Sequence, residues 1–236
     1  MLVSVIVPTH GNRDLKILLD SLENSTYKDL DVRIINRGKE RSVQRNMGIV
    51  EAAGSNAFLI LDSDQSVSPA LIAECVSLVE QGFSCVYIPE IIVVKSFFGK
   101  IRAFEREFYT GTAVDVPRFV TKKACPMFNP ELSGPEDAEW SYRIHGIRAT
   151  SRNPLYHHDD IGFWDYMAKK KYYTKSMKRY AELCPDDPCL KIKYRCFQIF
   201  VENGKWKKLV QHPILTLGII FVLFCRGIIY YLYKSR

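Results

Sequence analysis

Ala57-Phe58-Leu59-Ile60-Leu61-Asp62-Ser63-Asp64-Gln65 is the stretch on which the reading of this 236-residue chain turns. An apolar run that ends in carboxylates reads as a buried strand of a parallel sheet. Alternate residues of a strand point the same way, so Asp62 and Asp64 are expected to project together from its carboxyl end. That end is where open α/β sheets bind ligands. Two carboxylates at one point repel each other unless a cation lies between them, and hard oxygen donors beside a diphosphate suit Mg²⁺ or Mn²⁺. The competing reading has one aspartate capping the helix that begins near Pro69 and the other in solvent. Two carboxylates alone do not choose between these readings.

Outward from this stretch, residues 2–7, 32–36 and 84–88 have the apolar character of further strands. Helical spacing links them: leucines at 15, 18, 19 and 22 after the Thr9–Asn12 turn, then Val43, Met47 and Val50 ahead of Gly54. A third helix buries Ile72, Cys75, Val76 and Val79, with Ser68 as its N-cap and Pro69 as its first residue. Strands alternating with helices predict an α/β, doubly wound sheet with right-handed crossovers. The regularity then breaks. Phe97, Ile101, Phe104 and Phe108 mark another helix, and residues 118–121 suit a short strand running against the others, which makes the sheet mixed. Gly134-Pro135-Glu136-Asp137 opens a helix with acids in its first turn, and residues 155–158 form a last strand ending in His157 and His158. The expected segments are 1–161 for the α/β body, 162–212 for amphipathic interface helices and 213–236 for a membrane segment.

The net charge of +7 is unevenly spread. Residues 1–163 hold 18 Lys/Arg against 21 Asp/Glu, whereas residues 164–208 hold 12 against 5. Nucleic acid binding by the body is therefore not expected. No basic region precedes the first strand, so the expectation is a body without a signal peptide, on the cytoplasmic face of a membrane. The seven cysteines show no metal-type spacing and read as reduced core residues, Cys184 and Cys189 included.

From 162 to 183, Phe163, Trp164, Tyr166, Met167, Tyr172, Tyr173, Met177 and Tyr180 interleave with Lys169, Lys170, Lys171, Lys175, Lys178 and Arg179. Such a mixture suits the headgroup layer of an anionic bilayer, and single-stranded nucleic acid would accept it too. Residues 214–233 favour the bilayer: their 20 positions contain one charge, Arg226, and are long enough to cross about 30 Å of hydrocarbon. Arg226 is expected to snorkel toward the end of this segment. Tyr230, Tyr231, Tyr233 and Lys234 form an interfacial belt at one end, and Lys205, Trp206, Lys207, Lys208 and His212 form one at the other. The competing reading is a buried core helix.

Val-Ser-Val-Ile-Val-Pro-Thr at 3–9, Arg45-Asn46 before Gly48, Leu-Asp-Ser-Asp at 61–64, and Glu136-Asp137 with Arg143 further along occur in one order. That order resembles the family 2 glycosyltransferases of GT-A fold, over roughly residues 1–160. The resemblance extends more loosely to membrane-associated relatives, the polyprenyl-linked mannosyltransferases and a reduced cellulose-synthase-like architecture. It implies transfer of one sugar from a nucleotide-sugar with inversion. It places Pro8, Thr9, Asn36, Arg45, Asp62 and Glu136 around the nucleotide-sugar. Asp62, Asp64 and His158 would hold Mn²⁺ or Mg²⁺, with Gln65 in support, and Asp137 would be the general base. The competing reading of Glu136 and Asp137 is simple N-terminal helix charge. Lys39 and Arg41 are further phosphate candidates, and Lys171, Tyr172, Tyr173 and Lys175 are candidates for closing over a diphosphate. Family members often carry acidic residues after the second strand; Asn36-Arg37-Gly38 stands there instead, so the base is not specified. The Gln-x-x-Arg-Trp signature of processive synthases is absent, which implies single-sugar addition.

An acceptor hydroxyl needs a base, whereas a polyprenyl phosphate is already ionised. The expectation is therefore a lipid-linked saccharide hydroxyl at the membrane, with GDP-mannose favoured over a UDP-sugar as donor. A polyprenyl-phosphate sugar synthase and a non-catalytic nucleotide-binding membrane adaptor are the alternatives.

Overall fold

A computed structural model describes residues 1–11 and 13–233. Asn12, assigned to the turn after the first strand, and Lys234, assigned to the interfacial belt, lie outside the described residues.

Near-continuous apolar runs build the centre. β1 (Val3–Pro8) pairs in parallel with β2 (Leu30–Ile35) and with β3 (Ala57–Ile60). Val3, Val5, Val7, Ala57, Leu59 and Leu61 point to one face. There they meet α1 (Lys16–Glu23) through Leu18 and Leu22, and α3 (Leu71–Glu80) through Leu71, Ile72, Cys75 and Val76. Ile6, Phe58 and Ile60 point to the opposite face. That face is covered by α2 (Arg41–Glu51) and by α5 (Glu136–Arg143), whose Trp140 stacks on Phe128 with ring centroids 4.5 Å apart. Helices on both faces satisfy a sheet whose central strands are apolar throughout.

The described residues form a six-stranded mixed sheet of order β2-β1-β3-β7-β5-β8. It takes in β5 (Cys85–Tyr87), β7 (Phe119–Thr121) and β8 (Arg148–Thr150), with β7 antiparallel to both β3 and β5 as the sequence predicts. A second, three-stranded sheet joins β4 (Gln65–Val67), β9 (Leu155–His157) and β6 (Glu90–Ile92). The stretch that opens the sequence reading is thus not one strand. β3 ends at Ile60, and Asp62 and Asp64 lie on the turn into β4 rather than as alternate residues of a strand. Ser68 is not the cap of α3: Ala70 holds the N-cap position, and Ser68 contributes its carbonyl to the turn.

The remainder is helical. α4 (Phe97–Arg106), capped by the Ser96 side chain, is followed after the sheet by α6 (Phe163–Tyr173), a 3-10 turn and α7 (Met177–Leu183). A π-helical turn at Tyr194–Gln198, the short α8 (Ile199–Val201) and α9 (Trp206–Gln211) lead into α10 (Pro213–Tyr233). α10 has a mean hydropathy of 2.1 and is long and apolar enough to cross a membrane. One of its flanks packs on α4 and α6, around Ile101, Phe104, Tyr166, Ile219 and Val222. Arg226 does not snorkel outward: it turns into this flank, 2.5 Å from Glu105 and 3.1 Å from the Tyr166 hydroxyl. An inward turn is favoured because Glu105 is fully buried and needs a cation, which Arg102 and Arg226 supply together. Cys184 and Cys189 are free thiols.

Gly48 sits where α2 crosses β1, and a Cβ there would collide with the Ile6 side chain. Gly48→Ala should therefore lower stability. Overpacking costs about 1–3 kcal/mol, against a gain in helix propensity of at most about 1 kcal/mol. Urea unfolding followed by circular dichroism measures the difference.

Candidate functional site

Asp62 continues the alternation of β3 toward the face covered by α2 and α5, and this fixes what it meets. Arg45 rises from the middle of α2 with its side chain 1% exposed. One guanidinium nitrogen lies 3.1 Å from Asp62 Oδ1; another pairs with Asp137 in the first turn of α5 and lies 3.6 Å from Glu136. The guanidinium plane is backed by the Phe128 ring, 5.1 Å away. Asn46, its neighbour on α2, locks the Phe128 backbone by donating to its carbonyl and accepting from its N–H. The Arg45-Asn46 pair thereby ties the carboxyl end of β3 to the start of α5.

Two more arginines converge on Asp62. Arg118, at the entry to β7, is 3.4 Å from its Oδ2, and Arg41, at the start of α2, is 3.8 Å from its Oδ1. Burial alone would raise the pKa of Asp62, but Arg118, Arg45 and Arg41 hold the carboxyl far below the usual carboxylate range. The neighbouring Glu136 shifts the opposite way: burial and the Asp137 charge raise it, against the pull of Arg45. Its carboxylate accepts from the Gly134 N–H at 2.6 Å. Gly134 has φ +110, and a side chain there would run into the Tyr173 ring of α6.

Asp64 has different partners. Its Oδ1 is 3.3 Å from His157 Nε2, and its Oδ2 is 3.6 Å from the exposed Arg13. The other nitrogen of His157 lies 2.7 Å from Glu90, which also meets Arg106 and Arg118. Burial would lower the pKa of His157, but the carboxylates of Asp64 and Glu90 on its two nitrogens overcome this and push it up to about 10. His158, expected beside the acidic pair, instead faces Ser66, with its Nε2 2.9 Å from the hydroxyl. The reason is strand alternation: β9 turns consecutive histidines to opposite faces of the small sheet. His157 is the one that reaches Asp64. Gln65 does not face a metal position either; its side-chain carbonyl accepts the Asp62 backbone N–H at 2.9 Å.

Among the described residues, no three His, Cys, Asp or Glu side chains converge as a metal cage. Asp62 is already surrounded by guanidinium groups, and His158 is turned away. A protein-only donor set therefore does not fit Mg²⁺ or Mn²⁺. Asp64 does fit as a single hard ligand: its side chain is 31% exposed and its oxygens lie 3.3 Å or more from its partners. Mg²⁺ commonly binds through one or two carboxylates, with substrate phosphates completing the shell.

The remaining expected residues separate into walls and rim. Pro8 and Thr9 are buried at the end of β1; the Thr9 carbonyl accepts from Gln44 at 2.8 Å, while its hydroxyl has no partner among the described residues. Asn36 is exposed after β2. A cavity of about 290 Å³ opens beside Arg41, between His10, Lys39, Ser42, Gly134, Glu136 and the Tyr172-Tyr173 pair. The Tyr173 hydroxyl is 3.2 Å from an Arg41 nitrogen. Tyr172 and Tyr173 thus wall this cavity, whereas Lys171 and Lys175 are not among its lining residues. Arg118, Glu90 and His157 join the site without any motif that marks them.

No family model matches the chain, and no curated protein matches it. Solved structures do resemble it in fold. The crystal structure of S. aureus TarS 1-349 in complex with UDP-GlcNAc superposes with a TM-score of 0.52 at 15% identity, covering 100% of this chain and 92% of that one. TarS 1-349 without that ligand gives a TM-score of 0.50 at 13% identity, with the same coverage. The mixed α/β body therefore has a GT-A-like architecture shared with TarS.

Proposed function

We propose that the chain is an inverting glycosyltransferase that moves one sugar from a nucleotide-sugar to an acceptor hydroxyl. The observation that carries this reading is the buried guanidinium of Arg45, which holds Asp62, just past β3, and Asp137, in the first turn of α5, on its two terminal nitrogens. Direct displacement asks for that pairing: a cationic surface for the departing nucleoside diphosphate and, across from it, a carboxylate to take the acceptor proton. The fold shared with TarS supports the same reading.

In this mechanism Asp137 takes the proton. Arg45 and the first turn of α5 hold its carboxylate in place. Arg41 and Arg118 present guanidinium groups toward the diphosphate, with Asp62 orienting them. Glu136 fixes the Gly134 turn and with it the position of Asp137. A Mn²⁺ or Mg²⁺ ion held by Asp64 together with the donor's phosphates would neutralise charge on the leaving group. Pro8, Thr9 and Asn36 belong to the nucleoside side of this arrangement. The donor in this reading is GDP-mannose, with a UDP-sugar as the competitor because the TarS complex contains UDP-GlcNAc. The acceptor is a lipid-linked saccharide at the cytoplasmic face of a membrane. Asp137 favours it over a lipid phosphate, which needs no base.

Incubation with a panel of GDP- and UDP-sugars, Mn²⁺ and a membrane lipid extract should consume one donor, and a chelator should stop turnover. Consumption of none of them overturns the proposal. Asp137→Asn should lower kcat by about 10²–10⁴-fold while leaving donor affinity, read by calorimetry, within a few-fold. Full activity of that variant on polyprenyl phosphate would assign a lipid phosphate acceptor instead. Arg45→Met leaves Asp62, Asp137 and Glu136 without their shared cation, and by analogy with broken buried pairs should cost about 3–5 kcal/mol of stability, read as a lower urea midpoint.

A further inference from the structure

We propose that α10, although long enough to cross a bilayer, lies in the plane of an anionic membrane surface with α6 beside it. Three contacts define how the two helices run. Phe163 stacks on Phe221 at 5.8 Å between centroids, the Tyr166 hydroxyl meets Arg226 at 3.1 Å, and Lys171 Nζ sits 4.3 Å from the centre of the Tyr233 ring. Residues 163–171 of α6 thus accompany residues 221–233 of α10 in the same direction.

A spanning α10 would carry the middle of α6, with Asp165, into the hydrocarbon, and with it the α4 residues that pack on residues 215–229. Lys171 would stay at the interfacial end beside Tyr233, but α4 is tied to the body by Arg106, which pairs with Glu90 and Asp115. Each such charge drawn to the bilayer centre costs about 2.5–3.5 kcal/mol. The buried Glu105–Arg226 pair further holds α10 to α4 and the body.

The flank of α10 turned from the protein exposes Leu217, Ile220, Phe224, Ile228 and Leu232 along its length. Trp164, 80% exposed at the start of α6, and half-exposed Trp206, with Lys207 beside it, add the residue types that settle at headgroups. Charge selects the occupant. Residues 164–208 carry 12 Lys/Arg against 5 Asp/Glu, so a second copy of the chain would bring like charges together. Anionic lipid instead contributes about 1 kcal/mol per basic residue near the surface.

Depth-dependent quenching tests the proposal. Trp164→Phe and Trp206→Phe leave the buried Trp140 as background. Into this form, Leu217→Trp, Phe224→Trp or Leu232→Trp is introduced singly, each at an exposed position of α10. The full chain is bound to phosphatidylcholine vesicles with or without phosphatidylglycerol, carrying bromine near the headgroup or near the chain ends. All three variants should be quenched most by the shallow bromines and to a similar extent. Binding should be about tenfold or more tighter with phosphatidylglycerol and should weaken in salt. Deep quenching of Phe224→Trp with shallow quenching of Leu217→Trp would show a spanning helix and overturn the proposal. Failure to bind vesicles overturns it too, as does self-association of the chain through this face.

Discussion

The structure depends on a problem of charge. Arg45 is removed from water in the middle of α2, and a buried guanidinium persists only if carboxylates meet it. Asp62, Asp137 and Glu136 do so from two different elements. The cation therefore fixes the distance between the end of β3 and the start of α5. The Phe128 ring backs the guanidinium, and Asn46 fixes the Phe128 backbone.

The same logic repeats at other buried carboxylates. Glu90 gathers Arg106, Arg118 and His157, and Glu105 gathers Arg102 and Arg226. Arg118 links the Glu90 group to Asp62, touching both carboxylates. The small sheet is thereby joined electrostatically to the large one. Burial and opposing charge set the protonation states together. Asp62 stays ionised despite its surroundings, while Glu136, facing Asp137, is pushed toward the neutral form.

The parts of this arrangement legible in the sequence are those that repeat. Apolar runs in β1 and β3 report strands buried on both faces, and helical spacing in α1 to α4 reports which helix face is buried, so the layered α/β body follows from pattern alone. β6 and β8 are three residues long, too short to show a period. The break between β3 and β4 was hidden because Gln65, Ser66 and Val67 continue the stretch without a glycine or proline. At the site, Arg45, Asp62 and Asp137 stand out by motif, and the structure brings them together. His157 and His158 differ by one position, and only the register of β9 against β4 decides which of them faces Asp64. Arg118 and Glu90 carry no local signal, because their partners are distant in sequence.

The cavity beside Arg41 has walls from both the body and the helical tail. Gly134 lacks a side chain where the Tyr173 ring presses on the turn before Glu136, and the Tyr173 hydroxyl meets Arg41. A chain cut after residue 161 would keep its sheets but lose that wall, baring Arg41 and unsupporting the turn that leads into α5. The helical tail is thus a structural half of this cavity. Insertions or truncations that leave every motif intact can still dismantle it.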